Sequence, residues 1–275
     1  MSSISVSNRP ELTQSAPLQR VTPLAFVDGQ PVNVATQDDA IRHCMRHLSE
    51  GKGFTLFTLN LDHLVQLRES RAFQAAYANA TFVTADGAPV ARLARRFDES
   101  IIRTTGADLV DPLCAVAAWT QTPIYLFGAD EQTLTRVAER LSRDHPSLVI
   151  AGMEAPPRGF DPFGPEADAA AERIARSGAK LCFVALGAPK QELFADRMFR
   201  RYPTVGWLGV GAALDFMAGG RMRAPRLFRD IGLEWCWRLA QEPRRLGARY
   251  ARCAALLARL SFGPPSRMRH VELSQ

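Results

Sequence analysis

No apolar stretch in this chain reaches the roughly 18 residues that a membrane-spanning helix needs. The opening MSSISVSNRPELTQSAP has no apolar signal core, so residues 1–20 read as a disordered lead-in. Five cysteines, Cys44, Cys114, Cys182, Cys236 and Cys253, are scattered and form no CxxC pair. That argues against a disulfide framework and for reduced, structural thiols in a cytoplasmic protein. There is no Asp-x-Asp pair to hold a nucleotide-bound metal and no Gly-x-Ser-x-Gly nucleophile turn. His43 and His47 are spaced i,i+4 but lack a third ligand, and read as a helix face. Neither a metal nor a cofactor is therefore expected.

Lysine is also missing from residues 221–275, yet that stretch holds twelve arginines against four acids, a balance of +8. The whole chain carries +6, so the rest carries −2. Any anionic partner should be met at the C-terminal fifth.

What is present is a repeating alternation. Residues 24–33 read as two short strands around the Asp28–Gly29 turn. A helix over 36–50 precedes the strand FTLFTLN, 54–60. One helix over 61–79, capped by Asn60, leads to the strand TFVTADG, 81–87, and Pro89 starts the next helix. Residues 101–105 are extended and lead into a helix reaching about Trp119. Strands at 123–128, 148–153 and 180–186 alternate with helices at 131–145, 166–177 and 190–201, and TVGWLGVGAALDF, 204–216, is a last strand and turn. Such alternation predicts an α/β fold, a Rossmann-like parallel sheet with helices on both faces. The predicted boundaries are a core over 21–216, a basic helical appendage over 217–262 and a tail over 263–275.

Right-handed crossovers bring the ends of these strands to one edge. Thr58 and Asn60, Asp86 and Gly87, Gly128, the Gly187–Gln191 turn with Lys190, and Gly209, Gly211 and Asp215 should converge there, where open α/β sheets bind ligands. Asp86 reads either as a general base or as a cap for the helix near Pro89. Thr58 and Asn60 read as sugar or phosphate contacts, or as a strand-end threonine and a helix cap. GVGAALD, 209–215, lacks the third glycine of a dinucleotide fingerprint, but could let backbone approach a diphosphate.

In 246–262 an apolar stripe of Leu246, Tyr250, Cys253, Leu257 and Leu260 repeats at about 100° per residue. With Arg249, Arg252 and Arg259 beside it, the stripe suits a membrane interface, or else a helix docked on the core. Nucleic acid is disfavoured, because Trp235 and Trp237 precede the basic face and do not interleave with it.

Taken together, TLNLDH, TADGAPV, TTGADL, GAPKQE, GVGAALDFMAG, RAP and LEWCWRLAQEPRRLGARY resemble, in order, the WecG/TagA/CpsF family of bacterial inverting glycosyltransferases. The resemblance covers roughly residues 24–252. It implies the GT-E type of Rossmann-like fold with a C-terminal appendage. It also implies transfer of glucose, N-acetylmannosamine or its uronic acid from a UDP-sugar to an undecaprenyl-diphosphate-linked sugar, at the inner face of the cell membrane, for exopolysaccharide or cell-surface polysaccharide synthesis. On this resemblance Asp86 is the base, Thr58, Asn60 and Gln191 line the pocket, and Asp215 is linked to the nucleotide. Arg238 would face the diphosphate and Phe160 would contact uracil. A homo-oligomer is left open. The competing reading is an NAD-dependent oxidoreductase on the same sheet; a basic adaptor would leave the strand-end residues unexplained.

Overall fold

The computed structural model describes residues 21–220, 224–225, 228 and 234–262. The lead-in over 1–20 and the tail over 263–275 lie outside them. The hairpin forms as β1 (Ala25–Val27) and β2 (Gln30–Val32), antiparallel about the turn. There follow α1 (Gln37–Ser49), β3 (Phe54–Leu59), α2 (Leu61–Leu67), α3 (Arg71–Asn79), β4 (Phe82–Ala85), α4 (Ala88–Ala94) and α5 (Gly106–Trp119). Then come β5 (Ile124–Gly128), α6 (Glu131–Asp144), β6 (Ile150–Glu154), α7 (Pro165–Arg176), β7 (Leu181–Ala185), α8 (Lys190–Arg201), β8 (Gly206–Gly209) and α9 (Ala213–Met217). The C-terminal region contributes α10 (Glu234–Gln241) and α11 (Pro243–Phe262).

Strands β3 to β8 form one parallel sheet in the order β4-β3-β8-β7-β5-β6. All six residues of β3 are buried, because helices cover both faces. Alternation along each strand divides the core in two. Phe57, Leu59, Cys182 and Val184 face α2, α3, α7, α8 and α11; Phe54, Leu56, Leu181 and Phe183 face α1, α5, α6 and α9.

The predicted single helix over 61–79 is two. The Ser70 hydroxyl accepts from Phe73 N and starts α3 afresh, which re-aims the chain against α8. The extended stretch 101–105 joins no sheet; it is fastened by Ile102 N to Ala35 O and Thr104 N to Ala85 O, both 2.8 Å.

The apolar stripe of α11 turns inward. Cys253 and Leu256 are buried in the first core, with Tyr250, Leu257 and Leu260 packed against it, so the stripe docks on α2 and α4 and is not a membrane face. Two of its flanking arginines are engaged as well. Arg249 pairs with Asp62 at 2.7 Å and Arg252 with Glu69 at 3.2 Å. Among the described residues no helix is long and apolar enough to cross a membrane.

Candidate active site

In chain order, β3 leads to its neighbour β4, whereas β8 closes the gap between β3 and β7. This reversal leaves a crevice at the carboxyl ends of β4, β3, β8 and β7, the place where doubly wound sheets bind ligands. A cleft of about 880 Å³ occupies it. Thr58, Asn60, Asp86 and Gly87, residues 185–188 with Gln191, and residues 210–213 with Asp215 line its floor. Trp235, Leu246, Arg249, Tyr250 and Leu257 of α10 and α11 form its roof. Gly128 ends β5 on the same edge but does not line the cleft.

Asp86 follows the last residue of β4. Helix α4 is capped by Gly87 with no side-chain hydrogen bond, so the capping role considered for Asp86 is not the one it fills. Its Oδ2 accepts from the Thr58 hydroxyl at 3.1 Å. Gly87 has φ +82°, which glycine adopts without strain and which turns the chain away to leave Asp86 at the cleft. Asn60 does serve as a cap, its Oδ1 accepting from His63 N at 2.9 Å, and it also lines the cleft. Thr105 and Asp108 form a capping box at the start of α5, which brings that N-terminus to the cleft beside Arg103. Helices α5 and α8 thus start at the cleft, where their positive ends favour an anion.

The β7–α8 turn carries the expected Gln191, but with both ends of its amide engaged. Oε1 accepts from Gly211 N at 2.9 Å, and Nε2 donates to Glu192 Oε1 at 2.8 Å. A Cβ on Gly209 would lie 3.1 Å from Gln191 Nε2. Gly209 therefore makes room for Gln191 and does not line the cleft. The Gly211 amide is already donated to Gln191, and Val210 N to Val184 O. The backbone of 209–211 is accordingly not the amide cradle for a diphosphate that its glycines suggested, although Gly211 does line the cleft with Gly187 and Asp215.

Two further expected contacts stand away from the cleft. Phe160 is buried against Phe127 and Phe194, ring centroids 5.6 and 5.8 Å away, because the loop after β6 folds onto α8. Lys190 holds that loop, its Nζ donating to Phe160 O at 2.9 Å. Neither lines the cleft. The side chain of Arg238 lies outside the described residues.

Behind the floor is a set of buried polar groups that the sequence reading passed over. His63, on α2, lines the cleft, and its Nδ1 lies 2.7 Å from the Tyr77 hydroxyl of α3. Its Nε2 is 3.9 Å from Glu192 Oε1, outside hydrogen-bond reach. Burial pushes the His63 pKa down to about 3 and the Glu192 pKa up to about 7. The two are therefore both neutral over most of the acid range and do not form an ion pair. Asp62, one residue earlier, binds Arg249 of the roof at the mouth. Two cues were available in sequence: Asp62 and His63 directly follow the strand-end Asn60, and Glu192 directly follows Gln191. Their inward direction depends on α3 and α11, which no local pattern specifies.

Elsewhere His43 stacks on Phe82, and His47 meets both Phe82 and Phe54 edge-on, as structural side chains. Among the described residues no three His, Cys, Asp or Glu side chains stand together as a metal site. Comparison with known proteins covers most of the chain. The family model described as the glycosyl transferase WecG/TagA/CpsF family matches residues 26–266.

Proposed function

The chain belongs to the WecG/TagA/CpsF family of glycosyl transferases, and on that premise we propose an inverting transfer of a hexose or N-acetylhexosamine from a UDP-sugar to an undecaprenyl-diphosphate-linked sugar. The observation that carries this reading is Asp86. It stands at the floor of the cleft, held by Thr58, with helix N-termini and arginines around it. In such a transfer Asp86 removes the proton of the acceptor hydroxyl as that oxygen attacks the anomeric carbon, and the bond to UDP breaks on the opposite side. The leaving diphosphate is met by the helix N-termini of α5 and α8 and by arginine, with Arg103 at the cleft and Arg238 on α10 as the donors.

Glucose, N-acetylmannosamine and its uronic acid are the donor candidates, and the product is exopolysaccharide or cell-surface polysaccharide. The enzyme works as a peripheral protein on the inner membrane face, drawn there by the +8 of residues 221–275. It needs no metal, so turnover survives EDTA; loss in chelator restored by magnesium or manganese rules that out. Family membership sets aside the oxidoreductase reading. Ligand-dependent melting tests the donor class: UDP raises the melting temperature of the full chain and NAD does not. Stabilisation by NAD alone would overturn the assignment.

A further inference from the structure

Glu192 is fully buried, yet it begins a chain of contacts that ends on the loop lining the cleft. Its Oε1 accepts from Gln191 Nε2 at 2.8 Å, and Gln191 Oε1 accepts from Gly211 N at 2.9 Å. An amide has one acceptor end and one donor end, so the acceptor offered by Glu192 determines which way round Gln191 stands. Reversed, Gln191 would present its NH₂ to the Gly211 N–H, donor against donor. Gly209 leaves no slack, since even a Cβ there would press on Gln191. Glu192 Oε2, in turn, has no hydrogen-bond partner among the described residues. A buried carboxyl with one unpartnered oxygen is costly, and packing alone would be better served by an apolar side chain.

We infer that Glu192 is a positioning residue of the site, orienting Gln191 so that Gly211 and the start of α9, with Asp215, stand where the donor's nucleotide binds. The placement of the nucleotide rests on the proposed transferase reading; the link from Glu192 to Gly211 does not.

The groups facing Glu192 are Asp62 and His63 on α2, Tyr77 on α3 and Gln191 on α8, with Asp86 across Tyr77. Burial holds the Glu192 carboxyl near pH 7. On ionisation the bond from Gln191 becomes charge-assisted, which polarises the amide and strengthens its hold on Gly211 N–H.

The test is amide NMR of the full chain from pH 6 to 8. The Gly211 resonance titrates with a midpoint near 7 in the wild type, and that titration is lost in Glu192→Gln, which keeps an acceptor but cannot ionise. An unmoving Gly211 resonance, or the same titration in Glu192→Gln, overturns the link. Kinetics then test its use. Glu192→Ala raises the donor KM about tenfold or more with a smaller change in kcat, and Glu192→Gln restores most of that loss. Equal loss in both variants, or an unchanged donor KM in a folded Glu192→Ala, overturns the positioning role. If the NMR link holds while no UDP-sugar is turned over, the transferase reading fails and the link stands.

Discussion

The floor and the roof of the cleft are built on opposite plans. On the floor, polar groups are buried and committed to one another: Thr58 to Asp86, Gln191 to Gly211 and Glu192, His63 to Tyr77. In the roof, helix α11 is held by an apolar seam of Cys253 and Leu256 with Tyr250, Leu257 and Leu260, and its ion pairs to Asp62 and Glu69 lie at the rim. Buried polar contacts fix direction, because each donor needs its acceptor. Apolar contacts supply most of the attachment energy and fix direction poorly. The floor is thus suited to holding reacting atoms, and the roof to covering them.

The sharpest way to break this comparison is at Asp86. Asp86→Asn keeps the shape and the Thr58 contact but cannot take a proton, so turnover falls by about 10² to 10⁴ with UDP binding retained. Near-normal turnover in a folded variant would move the chemistry off the floor.

The seam comes next. Leu256 is buried on the inner face of α11, and Leu256→Ala should cost about 2–5 kcal/mol in denaturant unfolding. A cost below about 1 kcal/mol would show that the roof is held by something other than apolar packing.

The pH response of the floor is the third. The Glu192 pKa is raised from 4.5 to about 7, so the folded state holds that proton more tightly and stability falls as pH rises between those values. His63 is lowered from 6.5 to about 3, so it adds stability as pH rises between those values. The two slopes oppose each other between about pH 4.5 and 6.5, leaving a net rise below that range and a fall above it toward pH 7. Glu192→Gln removes only the falling part, so relative to the wild type the variant gains on the order of 2 kcal/mol between pH 5 and pH 8. Parallel wild-type and variant curves in urea at the two pH values would contradict this.

The smallest effect is at the rim. Arg252→Ala removes an exposed pair with Glu69 and should change stability by less than about 1 kcal/mol, still less in high salt. A larger loss would mean the rim pairs hold the roof.

Much of the fold could be read directly from the chain. The apolar runs of β3, β5, β7 and β8 each end at glycine or a polar turn, and Asp28–Gly29 marked the hairpin. The break between α2 and α3 was passed over because the polar run Arg68–Arg71 fits an exposed helix turn as well as a break, and the capping by Ser70 shows only once the helix stops. The stripe of α11 showed that one face is buried, but periodicity says nothing about what buries it; α2 and α4 do. Strand-end position placed Thr58, Asn60, Asp86, Gly187, Gln191, Gly211 and Asp215 at the cleft. It misled for Lys190 and Gly209, which serve packing around α8, and for Gly128, which ends β5 away from the cleft; Phe160, expected from the family resemblance, also packs against α8. Glu192 and His63 were missed because the groups they face come from distant parts of the chain: His63 meets Tyr77 of α3, and Glu192 faces His63 of α2.

The most direct measurement is the anomeric configuration of the product. Full-length protein, a UDP-sugar from the candidate panel and a short-chain soluble diphosphate acceptor are combined, and the new linkage is read by NMR beside the same reaction with Asp86→Asn. The account predicts one linkage, opposite in configuration to the donor, formed by the wild type and reduced at least about a hundredfold in Asp86→Asn. Retention of the donor's configuration, or equal product from a folded Asp86→Asn, would contradict it.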